Sequence, residues 1–541
     1  MCTREAAILV IPPLLAAVFV LALCSVSAQV EQPADAQHPA ECRRVMDNSQ
    51  RLEQWQGYAQ AQAEKRIVYV AGDGSGDFNC DGTDDQVEIS QALQRVAADA
   101  HLTTVHLKGP HTYTISDTIR IGSHTILQGD ADAVLTVIPH QEAQWQPFKG
   151  LIECDGHGVQ NITIRGFEIL GNRASFSSDR HYYSLNLMNA YDVTINDMYI
   201  HDASGDGIKL EHRGTAFVGT GPDQADGSWV KINEDELGHF NELQEARGRS
   251  VNSRFYNNHV ESVGHDGIYI LSVDDFEVYN NYVFNCRTNS TVRLSGCSDY
   301  SIHDNVLRSH PARVFSGNAG VQAQSGSRQV DNVEIYGNEI FRMALGGIVI
   351  YGRAEFGTQT GFHVHDNIIY DCAIAGIRIY GAHNTVVENN ILYGNHGDGI
   401  LHWFLYTPLP ENRRPGEPPA GEKYTTIVRN NIIAGTLPLP ARTMEARAAP
   451  LCGFGLNNCV VTGDEEDPSR FMPDNHRFIS EHNCIWNNVK GPYNNAASDT
   501  DIHADPLFVD AENADFRLQP GSPCRGAGTD GQDLGVRRAE E

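Results

Sequence analysis

Three polar side chains return at one place in consecutive copies of a repeated phrase: Asp206 in SGDGI, Asp266 in GHDGI and Asn289 in CRTNST. Flanking apolar residues set this register, Ile200 with Ile208, Val260 with Ile268 and Val283 with Thr291. Gly346 and Ala375 take the place in later copies, and Asp398 returns in a third DGI. Carboxylates one rung apart in a stacked sheet stand about 5 Å apart, as in retaining glycosidases, and two rungs give about 9.5 Å, within the inverting range. Like charges that close raise one pKa and set up an acid and a base at neutral pH. The same register gathers Glu211 and His212, with His201 and Asp202, on one coil, His265 and Tyr269 on the next, then Arg287 and Arg293. His265 suits proton transfer. Arg287 and Arg293 suit bidentate capture of a substrate carboxylate. Asp206, Asp266 and His265 are therefore the expected catalytic residues, and Arg287, Asn289, Arg293, Glu211 and Tyr269 the expected substrate contacts.

Hydrolysis with the two Asp as acid and base or nucleophile is the leading chemistry. A lyase on the same wall is the second: His265 or Arg287 would take a proton while calcium or Arg293 neutralises a uronate. A non-catalytic glycan-binding surface protein is the third. DGI is also a good turn phrase, because Asp accepts backbone N–H groups and Gly takes positive φ. That reading suffices for Asp398, which has no basic or histidine neighbour in its phrase. His201 reads as a supporting residue, His303 and His365 in their HDN phrases as solvated strand residues, and Gln322 and Gln324 as surface amides. Trp229, Phe240, Trp403 and Tyr406 offer rings for sugar stacking, although core packing explains most such residues.

A repeat must position these groups. Copies run from about Asn189 to Leu401, each with two alternating apolar runs, an Asn before the second, and a small-residue turn before a third. The Asn fall at 258, 281, 305, 338, 367, 390, 431 and 483, steps of 23, 24, 33, 29, 23, 41 and 52 residues. A shortest period near 23 with inserted loops means a solenoid. Three short β-branched strands per period argue for coils of parallel sheet, and the crossover rule makes them right-handed. The fold class is an all-β solenoid, a single-stranded right-handed parallel β-helix over 66–535. The Asn column reads as an inward ladder that satisfies backbone groups of neighbouring coils. Thr83 and Gln86 fit a capping box, with Ile89, Leu93 and Val96 on one face of a helix that caps the open first coil. Insertions at 213–249, 406–423 and 436–474 interrupt the repeat. The first, helical from Ile232 to Arg247, should project as an arm beside the wall. A tail, 536–541, follows the last coil.

The 541 residues carry 40 Lys and Arg against 69 Asp and Glu, a net charge of −29. That excludes nucleic acid as a partner, since phosphate binding needs a basic face. Residues 1–28 read as a secretory signal: Arg4, an apolar run Ala6–Leu23 containing Pro12 and Pro13, then Val26-Ser27-Ala28. The mature protein is then extracellular, with no membrane segment after cleavage, and 29–65 is a polar linker and helical lead-in. Export permits disulfides. Of 12 Cys, ten follow Ala28; Cys452 with Cys459 and Cys286 with Cys297 are the nearest pairs. Asp77, Asn79, Asp81, Gly82 and Glu88 match positions 1, 3, 5, 6 and 12 of a calcium loop. The competing reading is an acidic turn whose carboxylates cap the helix. The chemistry itself requires no cofactor; a structural calcium ion is the one candidate. Side-by-side homo-oligomers suit such a solenoid.

VYVAGDGSGDFNCDGTDDQVEISQAL, TTVHLKGPHTYTISDTIRIGSHTILQGD, GHDGIYI, NCRTNSTVRL and NAGVQAQSGS followed by YTTIVRNNII resemble the disaggregatase-related secreted β-helix proteins of methanogenic archaea, over roughly 66–435. The cap resembles the opening of pectate-lyase-like chains. The resemblance implies an acidic matrix polysaccharide as partner, chondroitin-like, of uronate and N-acetylhexosamine. It supplies no catalytic residue, so the site rests on the residues above.

Overall fold

The computed structural model describes residues 66–139, 149–175, 182–213, 237–310, 319–325, 329–351, 359–380, 382–403, 424–438, 454–456, 476–489, 491, 493–494 and 498–537. The signal, the linker 29–65, most of the insertions, Trp229, Tyr406 and the pair Cys452 and Cys459 lie outside the described residues.

Alternating apolar residues close the chain into coils of three strands, which stack into long sheets of 14, 12 and 12 strands, here A, B and C. Neighbours pair in parallel along sheets A and B; in sheet C the order ends with Phe454–Leu456 and Tyr493–Asn494 paired antiparallel. Inward residues stack on themselves: Ile195, Phe255, Val278, Ile302, Ile335 and Val364 form one fully buried column of sheet A. Burial of such columns is the main stabilising term.

The Asn ladder forms as expected. Asn281 donates from Nδ2 to Phe255 O, Tyr279 O and Asn305 Oδ1, and its own Oδ1 accepts from the backbone N–H and Nδ2 of Asn258. The pattern recurs through Asn305, Asn338, Asn367, Asn390 and Asn431 to Asn483. Each amide thus satisfies turn groups that burial would otherwise orphan.

Helix α1 (Gln86–Ala98) covers the first coil with Ile89, Ala92, Leu93 and Val96. Its capping box does not form. Asp85 holds the N-cap position, and Gln86 reaches across to Ser116, accepting its N–H at 3.1 Å. Of the first insertion, the structure describes helix α2 (Gly238–Arg247) and its flanking residues; Ile232 lies outside the described residues. Phe240 is fully buried against Tyr191 and His212, and Arg247 makes a two-bond pair with Asp192. An apolar anchor and an ion pair dock it on the coils.

Candidate active site

The turn into sheet C brings Asp206 and Asp266 together, one above the other, since Ile208 pairs with Ile268. The next coil departs from expectation by one residue. Ile268 pairs with Val292, so Ser290, not Asn289, stands in the Asp column, and Asn289 stands beside His265. Asn289 still reaches the site: its Nδ2 donates to Asp266 Oδ2 at 3.0 Å and lies 3.2 Å from His265 Nε2.

Both carboxyls are enclosed, Asp206 at 1% and Asp266 at 0% exposure. Asp206 Oδ1 accepts from the Asp266 N–H at 2.9 Å and from His265 Nδ1 at 2.7 Å. Asp266 Oδ1 accepts from the Ser290 N–H at 3.0 Å; its Oδ2 lies 3.2 Å from His265 Nδ1 and 3.4 Å from Arg293 Nη1. The imidazole therefore fills the gap in which a sugar carbon or a water would have to sit between two working acids. It also turns the direction of the pKa shift at Asp206 against the expected raised acid. Burial opposes charge on His265, but the Asp266 and Asp206 carboxylates outweigh it and raise the ring to about 10. Burial likewise raises Asp206, yet the hydrogen bond and charge of His265 hold it below its ordinary value. The two directions agree: at neutral pH His265 holds the proton and Asp206 is its carboxylate partner.

Sheet C carries outward side chains beside this clamp. Asn186, Lys209, Tyr269, Arg293 and Gln322 follow one another in register. The Arg293 guanidinium lies 4.8 Å from the Tyr269 ring centre and donates to Gln324 Oε1 at 3.2 Å. Lys209 Nζ sits 4.6 Å from the Tyr183 ring centre and 3.1 Å from Glu211 Oε1, while Glu211 Oε2 accepts from Arg213 Nε at 2.9 Å. Burial pushes the Tyr269 and Tyr183 phenols well up, so both stay protonated. Asp206, Asp266 and Glu211 face four cations: His265, Arg293, Lys209 and Arg213.

Arg287 does not join. Its side chain is exposed and enters no hydrogen bond or ion pair of the cluster. His201 and Asp202 belong elsewhere: Tyr199–His201 is a strand of sheet B, where His201 binds Glu168 and Asp202. Burial pushes His212 down to about 4, so it is a neutral packing residue whose Nε2 meets Ala190 O at 2.9 Å. Gln322 and Gln324 are not plain surface amides. Gln322 is buried and accepts the Ser290 hydroxyl at 2.6 Å. Lys209 and Ser290 escaped sequence reasoning. The IKL alternation after the first DGI, paired with IYI, was the signal for Lys209.

The calcium set is not brought together. Asp77 Oδ2 accepts from the Tyr69 N–H, Asn79 Oδ1 from the Gly76 N–H and Asp81 Oδ1 from the Thr83 N–H. Asp77, Asp81 and Glu88 share no common point within ligand reach; the oxygens and sulfur that converge there belong to Cys80, Asp85 and Glu88. Cys286 and Cys297 are buried thiols not joined by a disulfide: Cys286 packs under Gly267, and Cys297 Sγ meets Ile270 O at 3.5 Å.

The disaggregatase-related and β-helix parts of the resemblance are borne out by comparison with known families. Residues 330–530 match the family described as "Disaggregatase related", and 186–355 and 246–407 match the right-handed beta helix region. The first match lies wholly beyond Asp206–Arg293; the second spans it. No curated protein matches the sequence. Among solved structures, the chain is similar to the A-module of mannuronan C-5 epimerase AlgE4 of Azotobacter vinelandii (17% identity, 68% of this chain, 87% of that one, TM-score 0.46). It is similar also to a hyperthermoactive exopolygalacturonase of Thermotoga maritima (12%, 70%, 90%, 0.44) and to PfbA, a surface adhesin of Streptococcus pneumoniae (15%, 68%, 90%, 0.42). None of these likenesses fixes an activity for this chain.

Proposed function

We propose that the protein is exported and cleaves a uronate-containing, chondroitin-like polysaccharide on sheet C, with His265 as the proton donor. The observation that carries this reading is the imidazole of His265 held between Asp206 and Asp266, one third exposed, with Arg293 beside it. Protonating the leaving glycosidic oxygen is common to hydrolysis and β-elimination. Asp206 and Asp266 orient and charge the ring and do not themselves exchange protons with substrate. Arg293 is the group placed to meet a uronate carboxylate, with a planar fork suited to it. Hydrolysis stays ahead of elimination because a water can attack C1 as the glycosidic C–O bond breaks and pass its proton to solvent while His265 protonates the departing oxygen, whereas elimination needs a protein base for the sugar C–H. Among the described residues of this wall, His265 is charged and Tyr269 and Tyr183 are held as phenols.

The test is incubation with chondroitin-like and other uronate polysaccharides, reading reducing ends and near-ultraviolet absorbance together. New reducing ends without absorbance are expected; absorbance from an unsaturated uronate would replace hydrolysis by elimination. His265→Gln should lower kcat by about 10²–10⁴-fold, the usual worth of a positioned proton donor. Undiminished cleavage by that variant removes the assignment.

A further inference from the structure

On sheet A, away from this wall, Glu334, His363 and His365 present one ligand atom each within 4.8 Å of one another. His363 and His365 alternate on one strand, Phe362–His365, and so share its outer face; Glu334 lies on the preceding rung in register with His363. Glu334 Oε1 is 3.1 Å from His365 Nε2 and 3.9 Å from His363 Nδ1. Donor atoms around a tetrahedral zinc ion stand about 3.3–3.5 Å apart for bonds of about 2.0–2.2 Å. The two imidazoles stack at 4.1 Å with planes 29° apart, so a shared ion requires His363, the more exposed ring, to turn out of that stack.

The outer nitrogens are already occupied. His363 Nε2 lies 2.8 Å from Glu388 Oε1, and Glu388 is itself fixed by Arg429 Nε at 2.6 Å. His365 Nδ1 lies 2.8 Å from Asp366 Oδ2, and Asp366 Oδ1 accepts the Arg537 N–H at 2.8 Å. A carboxylate that takes the far N–H of a ligating imidazole fixes its tautomer and turns the other lone pair toward the metal. The plane of His365 is set as well, because it ends a ladder of parallel rings, Tyr279, His303 and Tyr336, stacked at 4.6–5.0 Å. We infer that Glu334, His363 and His365 form a binding site for a zinc-class transition-metal dication, which clasps neighbouring coils and keeps one coordination position open to solvent. Two imidazoles and one carboxylate select such a metal over calcium or magnesium. The inference is independent of the chemistry proposed for sheet C.

The probes are Zn²⁺ and Co²⁺, added to the full chain without an affinity tag after stripping with chelator. One Co²⁺ per chain is expected, with the visible bands of a four-coordinate site, displaced by Zn²⁺. His363→Ala and His365→Ala should abolish the bands. Glu388→Gln, which alters only the group behind His363, should weaken Zn²⁺ about 10–100-fold and leave the band positions unchanged. Glu334→Gln can still hydrogen-bond His365, so an unaltered metal-free melting curve with weakened binding would separate ligation from folding. Absence of saturable binding at millimolar metal would overturn the inference, as would equal binding by the double variant H363A/H365A; either leaves an ion-pair lattice and nothing more.

Discussion

Replacing His265 by Ala is the most direct probe of the clamp. The ring spans 2.7 Å to Asp206 and 3.2 Å to Asp266, two carboxyls at 1% and 0% exposure. Removing one partner of a buried ion pair costs about 3–5 kcal/mol, and because Arg293 still reaches Asp266 the lower end, about 3 kcal/mol, is expected. The loss depends on pH with a definite sign. His265 is raised from 6.5 to about 10, so its contribution is complete below 6.5 and vanishes as pH rises through about 10. In the variant the bare carboxylates can take up protons in acid, so the penalty also shrinks toward the ordinary carboxylate range near pH 4. The difference between wild type and variant should therefore peak between roughly pH 5 and 7. A solenoid need not melt in one step, so a local readout is preferable. The amides of Asp266 and Ser290 donate to the two carboxyls and should exchange about 10²-fold faster in the variant at neutral pH, a decade for each 1.4 kcal/mol. An acceleration equal at pH 7 and pH 10 would refute the charge argument and leave only a cavity.

Asn338→Leu removes three donated bonds and two accepted from Asn305. At about 1 kcal/mol per bond it should cost roughly 5 kcal/mol and open the chain near 305–367 to protease. Gly267→Ala would place a Cβ 2.4 Å from Val283 Cγ1 and 2.5 Å from Thr291 O, so the coil must spread; a loss of about 1–3 kcal/mol in thermal melts is expected. Gly238→Ala, in helix α2 with open space around it, should instead gain about 0.5–1 kcal/mol. Arg293→Lys keeps the charge but loses the fork, so kcat/KM on uronate substrates should fall about tenfold or more while neutral analogues are unaffected.

The scaffold was legible because a period forces neighbours. Once Asn258, Asn281 and Asn305 are aligned, the residue two before each names a second column: Tyr256, Tyr279, His303, then Tyr336, His365, Glu388, Arg429 and Glu481. His303 and His365 read singly look like solvated strand residues, whereas read as a column they are stacked rings that give way to ion pairs. The site was legible only up to the turns, whose lengths are not periodic. Val260 to Ile268 is eight residues, but Val283 to Val292 is nine. A slip of one residue turns every following side chain to the other face, and flanking apolar residues cannot detect it when Thr291 and Val292 both fit an inward place. The turn of nine sets the Ser290 amide under Asp266 and lets Asn289 lean over the same carboxyl, so backbone and side chain each take one oxygen. The turn of eight one rung earlier does the same for Asp206, whose Oδ1 meets both the Asp266 N–H and His265 Nδ1. In each turn the residue standing in the column gives its amide, and the residue before it its side chain, to the Asp one rung back, which is why both carboxyls serve the clamp and not the sugar.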